Sequence, residues 1–544
     1  MDADPEVRSE GGFAPLASDC AGKAGARESK GVSAAPFEHP PDQDGAGEAG
    51  ARTWFIKPAS SWLVLLVGSI AVGWLAWRSM GWPLVHDAPI MHYVAWRIAE
   101  GAVPYRDLFD MNFPGVYLLH LLVVTTLGAG DVAWRLFDLA WLAVTGALLF
   151  AIAAPWGRPA ALGAALFFAL YHLAGGAWQA GQRDFLLVAF LLAGALGVAR
   201  WLETAGGGRP SAPLAAGGVV LGAALTIKPH ALVLVAALGA LIAVHAWRAR
   251  GHVAAALAAF VAGAVVVPAV VVGWLAAAGA LPAWSGIVLE YLLPLYARLG
   301  RSAGWSVYRP GAWIAIAVGV ALSVGAAVTA GRFGARHAVV TAGALAGVVH
   351  FVAQGKGWEY HLYPLAAFAT LLLFAEAGPA VARLRRPVAI PMLAVILAAG
   401  ALLGDKAAAA SAAGWERDKA ARVRRLADEL AARLRPGDTV QVLDTTAGGI
   451  HALLRLGVRE PTRFVYDFHF FHDVGHPTIT ALRAELVRGL DARPPRLIVL
   501  FEQGWPVGGY ERLDAFVALR ERLARYDLAV PGPGYRIYAQ RDRS

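Results

Sequence analysis

The sequence predicts a polytopic α-helical membrane protein of about eleven spans plus interfacial helices, followed by a small C-terminal α/β domain. Three observations carry that expectation. Apolar runs near the ~20 residues that cross a bilayer recur from Trp62 to Gly404. Of the 544 residues, 57% are hydrophobic and only 16% are charged, whereas a soluble chain carries about 25% charged residues. Beyond residue 404 the pattern changes to an amphipathic helix and short strand-like runs. A membrane β-barrel would show short alternating strands instead.

Residues 1–55 are rich in Gly, Ala, Ser, Pro, Asp and Glu without periodicity, and read as a disordered cytoplasmic tail. The lone Cys20 lies there; it permits no internal disulfide and follows no apolar run of the kind a lipoprotein or secretion signal needs. The membrane domain is expected over 56–404. Its first span is "SWLVLLVGSIAVGWLAWRSMG" at 61–81. Further spans are expected near 132–154, 158–175, 185–202, 212–227, 230–247, 253–277, 311–330, 337–353, 361–378 and 388–404. The segment 113–128, "FPGVYLLHLLVVTTLG", is short for a span and opens on Pro114–Gly115.

Loop charge decides its placement. If 113–128 only dips into an interface, the loops holding Arg158, Arg200, Arg209, Arg248, Arg250, Arg332, Arg336, Arg383, Arg385 and Arg386 fall on one side with a single acid, Glu203. Short cytoplasmic loops collect such an excess, and the net charge of +9 fits it better than a nucleic-acid partner. The other face then gathers five polar clusters: the 83–112 loop, "QAGQRD" (179–184), "IKPH" (227–230), the 278–310 loop and "QGKGWEYHLYP" (354–364). Each alone reads as a solvated loop end; five converging on one side read as a site, because charge near a bilayer is costly.

Residues 405–544 hold "WERDKAARVRRLADELAARL", with Val423, Leu426, Leu430 and Leu434 on one stripe, and the strand-like runs "DTVQVLD" and "PRLIVLFE". By parity this α/β domain is extracytoplasmic.

A first span, then an acid, an amphipathic helix and "G-x-x-P-Y-R-D-x-F-D-x-N-x-P-G" (101–115) resemble the GT-C membrane glycosyltransferases. The narrower likeness is to glycosyltransferase family 39, near the protein mannosyltransferases and the aminoarabinose and galacturonosyl transferases. The resemblance covers about 60–405. It implies a polyprenyl-phosphate sugar as donor and a glycan, lipid or protein acceptor in the cell envelope, such as lipopolysaccharide. It also implies a multi-pass protein of the bacterial inner membrane, with inverting transfer on the periplasmic face. By position Asp87 matches the family's catalytic acid and Asp184 a second family acid. Where many relatives have two adjacent acids this chain has His86–Asp87, and "DMNFPG" lacks the lysine common before that proline.

Such chemistry asks for one carboxylate as base and fixed cations at the leaving phosphate. Asp87 is the expected base; "HDAPIMHYVAWR" equally reads as Asp87 capping a helix with Pro89 in its first turn. Arg183, Lys228 and Lys356 are the expected phosphate contacts, with snorkelling as the alternative for Lys228 and pairing with Asp184 or another acid for Arg183. Tyr105, Arg106, Asp107 and Asp110 are expected to brace the loop or touch the acceptor. Glu359, His361 and Tyr363 belong to an aromatic motif or an interfacial belt; in a helix Glu359 and Tyr363 would share a face. A divalent metal ion stays open as cofactor. "VYDFHFFHDVGH" (465–476) holds Asp467, His469, His472, Asp473 and His476 without a standard zinc spacing, and reads as incidental histidines. "AGGG" (205–208) lacks the Lys-Ser/Thr of a phosphate loop. The competing readings are a lipid-linked sugar transporter or flippase, disfavoured by the absence of repeats, and a non-catalytic relative.

Overall fold

A computed structural model describes residues 58–204, 212–301, 309–377 and 386–541. The expected tail (1–55), the Gly-rich loop at 205–208, Arg209, Arg383 and Arg385 lie outside the described residues. Each expected span forms a helix: α1 (Pro58–Arg78), α4 (Asp131–Ala153), α5 (Arg158–Ala174), α6 (Arg183–Glu203), α7 (Ala212–Ile227), α8 (Leu232–Arg248) and α9 (Val253–Ala277), then α11 (Pro310–Thr329), α12 (Ala335–Gln354), α13 (Tyr363–Ala375) and α14 (Arg386–Ala412). Among the described residues eight helices are long and apolar enough to cross a bilayer. The expected spans in α5, α7 and α13 are shorter, at 17, 16 and 13 residues. α14 runs past 404 because "DKAAAASA" continues a helix-forming sequence.

Between α1 and α4 lie α2 (Asp87–Ala99) and α3 (Pro114–Thr126). The Leu84 N–H donates to Asp131 Oδ1 at 2.8 Å, so the exit of α1 and the start of α4 meet at one end of the bundle. The chain between them returns to the end it left, so α3 does not cross on its own. At the opposite end Arg336 pairs with Glu203 and donates to the Ile152 carbonyl at 2.7 Å, while Arg332 pairs with Glu376. These arginines close the tails of α4, α6 and α13 on the head of α12.

Small residues bring α7 and α9 together. A Cβ on Gly218 would stand 2.2 Å from the Phe260 carbonyl oxygen, and one on Gly263 would stand 2.4 Å from that of Ala215. Such close approach drives helix association in lipid, where apolar burial gives no advantage. A short helix α10 (Leu281–Gly286) and a π-helix over Ile287–Tyr296 precede α11.

The C-terminal domain contains α15 (Trp415–Ala431), α16 (Gly449–Leu456), α17 (Pro477–Ala492) and α18 (Val517–Leu523). Its sheet comprises β1 (Val440–Leu443), β2 (Leu497–Phe501), β3 (Tyr526–Gly532) and β4 (Tyr535–Gln540) in the order β1-β2-β4-β3. β1 and β2 are parallel; β4 pairs antiparallel with both β2 and β3. β1 and β2 are wholly buried, which explains their unbroken apolar runs. The domain docks on the first loop: the Phe109 N–H donates to the Arg463 carbonyl at 2.6 Å, and the Arg463 guanidinium donates to the Tyr105 carbonyl at 3.1 Å.

At the head of α3, a Cβ on Gly115 would lie 2.3 Å from Thr226 Oγ1 and 2.8 Å from the Thr226 carbonyl carbon. Backbone must move to admit it. Gly115→Ala is expected to destabilise the protein by about 1–3 kcal/mol, read as a lowered Tm of the detergent-solubilised protein; an unchanged Tm would refute this contact.

Candidate active site at the polar end of the bundle

The five polar clusters meet at the end where α6, α13 and the docked domain begin. α6 opens with Arg183–Asp184, and these neighbours serve different partners. Arg183 Nη2 lies 3.9 Å from Asp87 Oδ2 in the first turn of α2. Asp184 is fully buried and receives the Lys228 ammonium at 2.8 and 2.9 Å, with His350 Nε2 of α12 at 2.6 Å. Lys228 also donates to Gln354 Oε1 at 2.5 Å. Lys228 therefore neither snorkels nor stands free; it is locked on Asp184, and Arg183 is matched with Asp87.

Asp87 keeps 31% of its side chain exposed. The helix begins at Asp87 with His86 in the cap position, and no side chain caps it. His86 adopts φ 53°, an uncommon conformation for a residue with a Cβ. Its ring lies against Trp178, centroids 3.5 Å apart.

Lys356 lies among aromatic rings. Its Nζ is 3.4 Å from the Tyr296 ring centroid, 5.2 Å from Trp358 and 5.7 Å from Trp505, and it donates to the Tyr296 carbonyl at 3.1 Å. Burial, with Arg183, Lys228 and Arg301 nearby, lowers its ammonium to about 7. Tyr296 and Tyr360, both within electrostatic reach of Arg183 and Asp87, join the site without having been expected. The signal was their position within the 278–310 and 354–364 clusters.

Asp110 is buried. Its Oδ1 accepts from the Asn112 N–H and side-chain amide at 2.9 Å each and from Tyr466 OH at 3.2 Å. Burial pushes its carboxyl up, against the pull of those Asn112 bonds. The rest of the first loop braces itself: Tyr105 OH donates to the Asn112 carbonyl at 2.7 Å, and the exposed Arg106 forms two 2.9 Å bonds to a half-buried Asp107, which accepts from the Val103 N–H at 2.8 Å.

Glu359 and Tyr363 do not share a face. Residues Glu359–Leu362 form a 3₁₀ turn before α13, so the α-helical spacing fails. Glu359 pairs with Arg309 at 2.7 Å. Tyr363 OH lies 2.8 Å from His172 Nδ1, whose Nε2 is 3.0 Å from Asp138 Oδ2; Asp138 also pairs with Arg135, which bonds Ser79. This buried chain was not expected from the sequence, although Arg135 and Asp138 stand inside the expected span 132–154. His361 instead turns toward His350 and Trp358.

The histidine-rich loop disperses. Asp467 pairs with Arg512 at 3.1 Å, His469 is enclosed by rings that include Phe109 and Phe470, His472 lies 3.0 Å from Tyr291 OH, and His476 caps α17. Among the described residues no group of three or more His, Cys, Asp or Glu side chains could hold a metal ion.

Among solved structures, ArnT from Cupriavidus metallidurans aligns over 88% of this chain and 98% of its own, with TM-score 0.55 and 14% identity in the apo state. The same protein bound to undecaprenyl phosphate aligns over the same shares with TM-score 0.56 and 16% identity. The chain has the GT-C membrane glycosyltransferase fold. At this identity the likeness concerns the fold. The Archaeoglobus fulgidus oligosaccharyltransferase in complex with zinc and sulfate aligns with TM-score 0.45 and 13% identity, over 88% of this chain and 73% of its own. No protein-family model and no curated protein sequence matches the chain.

Removing Asp184 from this GT-C bundle strands the Lys228 charge. Asp184→Ala is expected to destabilise by about 3–5 kcal/mol, whereas Asp184→Leu combined with Lys228→Met costs less than the single change. Equal Tm losses for the single and double variants would contradict the pairing.

Proposed function

We propose that this GT-C-fold protein transfers a sugar from a polyprenyl-phosphate donor to a hydroxyl of an envelope glycan, lipid or protein. One observation carries the reading: a partly exposed carboxylate, Asp87, faces the Arg183 guanidinium at 3.9 Å, at the end of the bundle where the polar clusters converge. The undecaprenyl phosphate bound by ArnT of the same fold supports the donor class.

In this reading Asp87 takes the proton of the acceptor hydroxyl. The oxygen attacks the anomeric carbon, the bond from that carbon to the phosphate oxygen breaks, and polyprenyl phosphate leaves with the electron pair. Attack opposite the leaving group inverts the anomeric centre. Phosphate is a competent leaving group, so the demand falls on a base and on fixed cations. Arg183 offers a fork for phosphate oxygens, and Lys356 a point charge. Lys228, held by Asp184, positions the head of α6. Asp110 is a poorer base because it is enclosed and already engaged by Asn112 and Tyr466.

The arginine-rich end is read as cytoplasmic by loop charge. The site then lies on the outer face of a bacterial inner membrane, with residues 405–544 outside and the 1–55 tail inside.

Asp87→Asn is expected to lower transfer by roughly 10²–10⁴-fold while undecaprenyl phosphate binding persists, measured with radiolabelled lipid-linked sugar in proteoliposomes. Transfer at the wild-type rate would remove Asp87 from the mechanism. A second outcome follows from Lys356. Its ammonium is charged below about pH 7 and neutral above, so undecaprenyl phosphate affinity is expected to fall as pH rises through 7. Lys356→Met should flatten that dependence; an unchanged slope would exclude Lys356 as its source.

A further inference from the structure

α15 begins beside the candidate base and leads away from it. Trp415, at its start, lies 5.9 Å from the His86 ring and 6.5 Å from Trp178, and both tryptophans are 40% exposed. One turn on, the Lys419 ammonium donates to the Thr446 carbonyl at 2.6 Å and stands within electrostatic reach of Asp87 and Asp444. The next turn brings Arg422, about 4.5 Å further along the axis at 1.5 Å per residue. Arg422 and Arg425 line a cleft of about 440 Å³ with Asp418 on the same helix and Glu502, Gln503 and Gly534 beyond the ends of β2 and β3.

The cleft's chemistry is selective. Its size matches sites that enclose a small ligand or a few residues of a polymer. Its two guanidiniums are balanced by two carboxylates, so it carries no net charge to attract a phosphate or a nucleotide. Gln503 adds an amide NH2 with two donors and a carbonyl oxygen that accepts from Arg422 Nη1 at 3.3 Å. Interleaved donors and acceptors suit hydroxyl groups, each of which donates and accepts. The exposed tryptophan pair between cleft and base offers apolar faces with polar edges, which suit the apolar face of a sugar ring. The cleft also opens where ligands gather in α/β sheets, beyond the carboxyl end of a parallel strand.

We propose that this cleft is the acceptor subsite and that the acceptor is a glycan, its polyhydroxylated chain lying along α15 and its terminal sugar resting near Trp415 and Trp178 beside Asp87. The proposal rests on the transferase reading above and adds the acceptor class to it. The donor cations Arg183 and Lys356 then serve the lipid phosphate, and α15 serves the incoming hydroxyl, with Asp87 between them.

The test uses the full-length protein in nanodiscs and three probes, isomaltotriose, chitotriose and mannotriose, followed by saturation-transfer NMR. At least one trisaccharide is expected to bind. Arg422→Ala with Arg425→Ala should weaken it about tenfold, the loss of two ordinary hydrogen bonds, and Glu502→Gln should weaken it less. Undecaprenyl phosphate affinity and Tm of the double variant should stay at wild-type values. No binding of any probe, equal binding by the double variant, or a parallel loss of undecaprenyl phosphate binding would each overturn the subsite. The transferase reading fails separately: if the wild-type protein moves no sugar from a polyprenyl-phosphate donor to any acceptor, that reading falls, while a trisaccharide signal lost in the double variant still places a glycan in the cleft.

Discussion

Arg183 and Asp184 stand side by side at the head of α6, and the site depends on the way they divide their partners. Arg183 reaches Asp87 on α2. Asp184 holds Lys228, between α7 and α8, and His350 on α12. One dipeptide therefore ties three regions of chain to the head of a single helix. The constraint is electrostatic: a lone charge at this depth is costly, so every ionised group needs a fixed counterpart. Asp184 is satisfied from the bundle side, which frees Arg183 to face the loop. Had Arg183 paired with Asp184, Asp87 would have lost its cationic neighbour and the loop its anchor.

A second buried chain runs beneath the first, from Ser79 through Arg135, Asp138 and His172 to Tyr363. The Gly181 N–H also donates to Asp138 at 3.2 Å. Gly181 opens the two-residue approach to Arg183, so the network fixes the strand of chain that delivers the guanidinium. Its members lie just past α1 and on α4, α5 and α13, and the polar links between them specify register where apolar helix faces in lipid could slide.

Much of this was legible in the sequence because a bilayer simplifies the code. Spans show as apolar runs, and the arginine bias set the parity that made 113–128 a non-crossing helix, in line with the Leu84–Asp131 bond. Convergence of Asp87, Arg183, Lys228 and Lys356 followed from parity alone. Pairing did not, because parity fixes the end of a helix and leaves its rotation open. Arg135 and Asp138 were readable in principle as two ionisable residues three apart inside a span. The split of Glu359 from Tyr363 was not, since a 3₁₀ turn before α13 changes the angular spacing without a sequence mark. The docking of the C-terminal domain on Phe109 and Tyr105 was equally silent, because it uses backbone groups that any sequence supplies.

The docked domain explains why the first loop can be polar and still hold a fixed carboxylate. His86 occupies a left-handed conformation that costs of order 1–3 kcal/mol and persists only where surroundings over-determine it. Trp178 and, from the domain, Trp415 both pack near its ring. Downstream, Tyr466 and Arg463 of the domain grip Asp110 and Tyr105. The loop is thus clamped at both ends by the same 405–544 region, and Asp87 stands between the clamps with its carboxylate partly open. A base must be held near its target yet reach the acceptor's proton, and a loop pinned at both ends meets both requirements where a free loop would meet only the second.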